Sequence, residues 1–280
     1  MTFGERNVIG MAFKIGFAPE NLENKPMEAG YTVPQTAAPR KSVVQVYFPD
    51  RNRTLAYYND RFDLHAGDLV FVDGKLAGLR GRVTEVNYNF KIKLSEYKRV
   101  IAVADTDVHG QFYLAGSHFV TFDREALPAS KAVTWFHPPV QEDEEYEIGM
   151  DDSAFYLNDL RGMNVSDAVA ERGHKYYTEN RVRYLCVDGT QGFAIVEGGD
   201  IYEVEFTCRG GEISNLLCSC FCSGGCKHEF AAMLQLTETM EAIQRYYADE
   251  YECTDYFAAV CKGTLFAFAI DGKENGSFTL

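Results

Sequence analysis

The chain has 280 residues, of which 46% are hydrophobic and 24% charged. That balance is typical of a soluble globular protein and excludes a disordered or collagen-like chain, and the length favours two domains. The formal net charge is −14, which opposes binding to nucleic acid and to anionic membranes. The sequence has no secretory signal and no apolar run long enough to span a membrane, so we expect a cytoplasmic protein without a membrane partner.

The charge is distributed unevenly along the chain. Residues 1–140 carry 17 basic and 15 acidic side chains, whereas residues 141–280 carry 10 and 26. Between residues 40 and 100 there are 12 basic and 7 acidic side chains. A surface that binds a polyanion is therefore expected in the first half, and the acidic second half favours a protein partner.

The first half is predicted to be rich in strands. Residues 1–40 contain many Gly, Pro and Asn residues and are interpreted as an N-terminal extension with one strand near Val8–Phe17. From Ser42 onward, short β-prone runs alternate with turns that contain glycine. This spacing predicts a small antiparallel β-barrel over residues 41–136, and the segments after residue 100 either close the barrel or add a sheet beside it.

A Pro-Pro pair and an acidic run then predict an exposed acidic linker over residues 137–152. Residues 153–280 are predicted to form an α+β module. Its pattern indicates a helix over Asp167–Gly173 that ends at its glycine, three strands joined by hairpin turns, and a helix over Lys227–Asp249. The expected fold class is therefore α+β, with an N-terminal barrel followed by an α+β zinc-binding module.

Cysteines are crowded just before the last of these helices. All eight lie in the second half, and four of them fall between Cys218 and Cys226. In a reducing compartment such a cluster indicates a metal site, and Zn²⁺ takes four thiolate or imidazole ligands. Ser223-Gly224-Gly225 allows the backbone reversal that brings Cys226 and His228 opposite Cys218 and Cys220. We expect His228 to bind as neutral imidazole, with an acceptor for its other ring nitrogen.

The pattern Cys-x-Cys, a short gap, then Cys-x-His leading into an apolar helix resembles the SWIM-type zinc finger. The resemblance covers about residues 176–236 and includes Tyr202-Glu203-Val204 in the place of the family's Tyr-x-Val strand. It implies one structural Zn²⁺ and, by position, the ligands Cys218, Cys220, Cys226 and His228. Cys222 is a third cysteine in the same alternation and is an alternative ligand to Cys218. The scattered cysteines are expected to be small buried apolar residues: Cys186, Cys208, Cys253 and Cys261.

A second, more generic pattern lies in residues 43–100, where Ala66-Gly67-Asp68 precedes an alternating strand and Gly81-Arg82-Val83 follows. It resembles the small SH3-like barrels found in bacterial nucleic-acid-handling proteins, including the N-terminal part of primosomal helicases. Basic residues with tyrosines nearby are candidate nucleic-acid contacts on this part of the chain. They are Arg51, Arg53, Arg80, Arg82, Lys91 and Lys93.

No phosphate-binding loop, dinucleotide turn, nucleophile elbow or zinc-protease helix occurs in the sequence. Asp105, Asp107 and His109 gather two carboxylates and an imidazole, but the sequence there is typical of a turn between strands. We therefore predict a protein that is not an enzyme. The expected function is that of a zinc-binding protein-interaction module or adaptor. The alternative is a DNA-binding protein that uses the basic barrel together with the finger.

Overall fold

In the computed structural model, the structure describes residues 39–138, 153–220, 222 and 224–270, together with the backbone of residues 12–15 and 278–279. The predicted linker lies outside the described residues from residue 139 onward, as does most of the N-terminal extension. The strands are β1 Ala12–Ile15, β2 Ser42–Phe48, β3 Arg53–Asn59, β4 Leu69–Val72, β5 Arg80–Asn87, β6 Val100–Val103, β7 Gly110–Ala115, β8 His118–Thr121, β9 Ala154–Tyr156, β10 Val182–Asp188, β11 Gln191–Glu197, β12 Ile201–Arg209, β13 Glu212–Cys218, β14 Tyr256–Cys261 and β15 Phe278–Thr279. The α-helices are α1 Ala129–Thr134, α2 Asp167–Thr178, α3 Lys227–Tyr246, α4 Ala248–Thr254 and α5 Lys262–Leu265.

The smaller of two antiparallel sheets has five strands in the order β3-β2-β5-β4-β6. Alternate apolar residues of β2, such as Val44, Val46 and Phe48, point into its own small core. The sheet curls until its two edges meet at one isolated bridge between Tyr58 and Arg99. That bridge is not a continuous ladder, so the predicted closed barrel is wrong: the strands form an open, curled sheet.

The larger sheet has ten strands in the order β15-β1-β7-β8-β14-β10-β11-β12-β13-β9. Its centre is β14, which pairs with β8 through Ala258–Thr121 and with β10 through Cys186–Ala258. Strands from both sides of residues 137–152 therefore belong to one sheet. The domain bounds inferred from the sequence stay a prediction.

Both faces of the large sheet are covered, which explains why its central strands are apolar throughout and do not alternate. On one face, Leu185 of β10 packs in a core with Met233 and Leu236 of α3. On the other face, Tyr184 packs with Trp135 and with the aromatic segment after β14. Fold class α+β is thus confirmed.

The small sheet joins the large one through the half-buried cation of Arg80. Arg80 donates a hydrogen bond to the carbonyl of Trp135, and its guanidinium carbon lies 4.4 Å from the centre of the Phe268 ring. Leu69 of β4 belongs to the same core as Trp135. These contacts place Arg80 in the interior contact between the sheets.

Two helices near the cysteine cluster differ from expectation for identifiable reasons. Helix α2 does not end at Gly173 but continues to Thr178. A Cβ at Gly173 would come within 2.8 Å of the Cβ of Phe230, so this glycine permits the close approach of α2 and α3. The helix predicted over 227–249 ends at Tyr246, and α4 follows from Ala248.

Candidate metal centre

The cysteine cluster joins the end of strand β13 to the start of helix α3. Cys218 is the last residue of β13 and pairs with Val204 of β12. Cys226 is the N-cap of α3, and His228 is the helix's second residue. A strand end and a helix start, both held by the fold, therefore present the two ligand pairs to each other.

The four predicted ligands come together in space. The ligand atoms of Cys218, Cys220, Cys226 and His228 all lie within 4.8 Å of one another. Nδ1 of His228 is 3.6 Å from Sγ of Cys218 and 3.8 Å from Sγ of Cys226. Three thiols and one imidazole at such separations could hold one metal ion.

Reciprocal hydrogen bonds fix the start of α3. The Glu229 backbone N–H donates to Sγ of Cys226 over 3.4 Å, and the Cys226 N–H donates to Oε2 of Glu229 over 2.7 Å. This is a capping box in which a cysteine takes the place of the usual serine or threonine. The cap directs the Cys226 sulfur along the positive end of the helix, which stabilises a thiolate.

The pKa values of the neighbouring thiols of Cys226 and Cys218 shift in opposite directions. Hydrogen bonding from Cys218, then from His228 and the Glu229 N–H, lowers the pKa of Cys226. The same contact with Cys226, together with burial, raises the pKa of Cys218 well above its usual range. One thiolate is therefore already favoured at Cys226, the form in which cysteine binds metal.

The pKa of the Glu229 carboxyl is also affected by the negative charge at Cys226. Burial, followed by the nearby Cys226 thiolate, raises the pKa of its carboxyl to about 7. The carboxyl is retained beside the thiolate because it accepts the otherwise unpaired N–H of Cys226. Sequence reasoning missed this role, although Ser/Thr-x-x-Glu is a known capping pattern and Cys226-x-x-Glu229 has the same spacing.

Aromatic rings enclose His228. The imidazole is 3% exposed and stacks on Tyr202, with ring centroids 3.9 Å apart and an angle of 16° between the planes. Tyr176 lies on another side with its centroid 5.5 Å away. Nε2 of His228 is buried and has no hydrogen-bond partner among the described residues, so the acceptor expected from the sequence is not present there.

The remaining cysteines lie outside the group of four. Cys222 is exposed, whereas Cys186 and Cys261 are buried and Cys208 is half-buried, as expected for apolar positions. Cys253 is exposed, so its predicted burial is wrong: it lies on the outer side of the short helix α4. No disulfide joins any of the eight cysteines, all of which the structure describes.

The six basic residues proposed as nucleic-acid contacts separate into two groups. Arg51, Arg53, Lys91 and Lys93 are exposed on the small sheet and its loops. Arg80 makes the contact between the sheets, and Arg82 donates to the carbonyl of Gly67 over 3.0 Å. Four of the candidate contacts are therefore on the surface, whereas Arg80 and Arg82 make contacts within the protein.

Comparisons with protein-family models, with curated proteins and with solved structures found no match to this chain. Among the described residues, no helix is both long and apolar enough to cross a membrane. The Cys218–His228 group is also the only cluster of potential metal ligands found in that part of the chain. The geometry of the Cys218–His228 group is therefore the feature of the molecule that bears on function.

Proposed function

We propose that this chain is a zinc-binding protein with one Zn²⁺ held by Cys218, Cys220, Cys226 and His228. The observation that carries the proposal is the spacing of the donor atoms. Zn–S bonds of about 2.3 Å and Zn–N bonds of about 2.0 Å at tetrahedral angles imply an S···N separation of about 3.5 Å. The separations from Nδ1 to the two nearest thiols, 3.6 and 3.8 Å, agree with that edge length.

The centre fits a structural role for the ion. Four protein ligands complete a tetrahedral zinc site and leave no position for a reacting water. Cys226 and His228 are buried, at 4% and 3% exposed, which restricts access further. We therefore assign the zinc to holding β13 against α3, and we propose that the protein is not an enzyme.

The order of elements supports a SWIM-type finger. Strand β13 ends at Cys218, Cys220 follows in a turn, and Cys226 and His228 begin a helix whose apolar face covers the sheet. We propose that this module binds a protein partner in the cytoplasm, as an adaptor. The excess of 26 acidic over 10 basic side chains in residues 141–280 supports a protein partner over nucleic acid.

One observation favours nucleic acid as the second candidate partner. The Arg40 guanidinium lies 4.3 Å from the centre of the half-exposed Tyr88 ring, on the same small sheet that exposes Arg51 and Arg53. A ring beside cations can stack on a base while the cations contact phosphates. This candidate requires binding that weakens steeply with salt, because each neutralised phosphate releases counterions.

Metal analysis tests the main proposal directly. Protein purified without added zinc is expected to contain one zinc per chain by mass spectrometry. Cys218→Ser and Cys226→Ser should lower that content, whereas Cys222→Ser, a matched change at an exposed cysteine, should retain it. Absence of stoichiometric zinc from the parent would overturn the proposal, and loss of zinc from Cys222→Ser but not from Cys218→Ser would revise the ligand set.

The partner is tested on the full chain with labelled oligonucleotides over a salt series. We expect negligible binding near physiological salt, because the net charge is −14. Tight, salt-dependent binding that is lost when Arg51 and Arg53 are both replaced by alanine would favour the nucleic-acid candidate.

A further inference from the structure

Metal-binding histidines usually donate the N–H of their second ring nitrogen to an acceptor, which fixes the orientation of the ring. His228 lacks such an acceptor among the described residues, since its buried Nε2 has no partner. Its Nδ1 nevertheless points at the thiols of Cys218 and Cys226. Some other contact must therefore hold the imidazole in that orientation.

The contact available is the face of Tyr202. The two rings are nearly parallel, at 16°, with centroids only 3.9 Å apart. Stacking of this kind prevents the imidazole from rotating out of its plane, which would carry Nδ1 away from the thiols. Tyr202 belongs to β12, the strand that also pairs with the Cys218 end of β13.

Gly198 lies close to both tyrosine rings. A Cβ on Gly198 would lie 2.9 Å from the Tyr202 ring and 3.1 Å from the hydroxyl of Tyr176, so the hairpin turn between β11 and β12 contacts both rings. Tyr176 in turn lies under two cations, with Nζ of Lys227 at 5.2 Å and the Arg181 guanidinium at 5.0 Å. Tyr176 is thus held next to the imidazole, and Gly198 leaves room for both tyrosine rings.

We propose that Tyr202 is the positioning residue of the metal centre. It orients His228 for Nδ1 coordination by ring stacking, in place of a hydrogen bond to Nε2, and the close approach of Gly198 limits the movement of its ring. The inference rests on the proposed zinc site. It predicts that metal affinity depends on an aromatic ring at residue 202 and does not depend on the tyrosine hydroxyl.

The test measures zinc affinity of the full chain by competition with a chromogenic chelator. Tyr202→Leu is expected to weaken binding by roughly 2- to 10-fold, the range that the loss of one aromatic pair gives. Tyr202→Phe keeps the ring and should bind as the parent does. Tyr246→Leu removes an exposed tyrosine from the far end of α3 and serves as the matched control, with no expected effect.

A spectroscopic readout separates positioning from a general loss of stability. With Co²⁺ in place of zinc, the visible absorption bands report the geometry of the ligands, and Tyr202→Leu should shift them while Tyr202→Phe should not. Gly198→Ala, whose new methyl group would crowd the Tyr202 ring and the Tyr176 hydroxyl without removing either, should shift these bands in the same way. This second variant keeps the test usable if Tyr202→Leu does not fold.

The outcomes distinguish the two proposals. If the parent binds no metal, the zinc assignment fails. If the parent binds metal and both Tyr202→Leu and Gly198→Ala match it in affinity and spectrum, the zinc assignment stands and the positioning role is wrong. Equal weakening by Tyr202→Phe and Tyr202→Leu would also overturn the stacking argument, because it would show that the hydroxyl carries the effect.

Discussion

His118→Gln is expected to remove part of the acid sensitivity of folding. His118 lies at the start of β8 and is fully buried. Its Nε2–H donates to the carbonyl of Val182 over 2.8 Å, and Nδ1 accepts from the Ser117 hydroxyl over 2.9 Å, an arrangement that suits the neutral ring. Burial, reinforced by the charges of Lys262 and Arg183, lowers the pKa of His118 from 6.5 to about 4.

The size and sign of the effect follow from that pKa. Below about pH 6.5 the unfolded chain binds a proton at His118 that the folded chain excludes until about pH 4, so stability falls as the pH drops through this window. A lowering of roughly 2.5 pH units corresponds to about 3 kcal/mol at the acid end. Above pH 6.5 this contribution to the pH dependence vanishes.

Urea unfolding of the parent and of His118→Gln at a series of pH values measures the difference. Glutamine can still donate to the Val182 carbonyl and has no proton to gain, so the variant should lose less stability than the parent between about pH 6.5 and pH 4. Protonation of the metal ligands affects both proteins and cancels in the comparison. His65→Gln, at an exposed residue, is the control and should follow the parent. Parallel curves for the parent and His118→Gln would refute the reasoning.

Three further predictions concern the centre and the sheets. Glu229→Leu should lower stability in urea by about 1–3 kcal/mol because it leaves a buried backbone N–H without its acceptor, whereas Glu229→Gln should cost much less. Gly192→Ala should lower stability by about 1–3 kcal/mol, since the new methyl group would lie 2.0 Å from the buried ring of Phe206. Chains 1–138 and 153–280, expressed separately, should each fail to give a dispersed amide NMR spectrum and should form a folded complex when mixed, because β14 is paired on both sides within one sheet.

Each of these three predictions would be contradicted by a specific result. Equal stability of Glu229→Leu and Glu229→Gln would show that the cap does not matter, and a neutral Gly192→Ala would show that the Phe206 ring is free to move. Two separately folded fragments, each monomeric by size-exclusion chromatography, would establish independent domains instead of one cooperative sheet.

The sequence predicted that these four side chains would come together, because the signal is local. Cys218, Cys220, Cys226 and His228 lie within one short segment, and the helix after it follows from periodicity. The enclosure of His228 was not predicted, since Tyr176 and Tyr202 come from α2 and β12 and meet the imidazole only after the strands have paired. A tyrosine in a strand gives no sign of which ring it will contact.

The sheets were harder to predict for a related reason. Strand β14, Tyr256–Cys261, was not recognised, and its six residues are all buried. An apolar run between two helical segments fits a buried helix as well as a central strand. Likewise, the regular spacing of strands over residues 41–136 fits a barrel, but β7 and β8 join the other sheet and leave five strands behind. Pairing between distant segments decides such questions, and local pattern does not reveal it.

The position of β14 in the sheet has a consequence for synthesis on the ribosome. Its neighbours β8 and β10 are both translated earlier. Each has one edge whose backbone N–H and C=O groups pair with β14. Until β14 emerges, the chain carries two apolar strands with unpaired N–H and C=O groups, the kind of edge that pairs with other chains. The sheet is therefore completed after translation of its centre, by insertion between two preformed parts, a slow step of high contact order. We therefore expect chaperones to bind nascent chains that stop before residue 256.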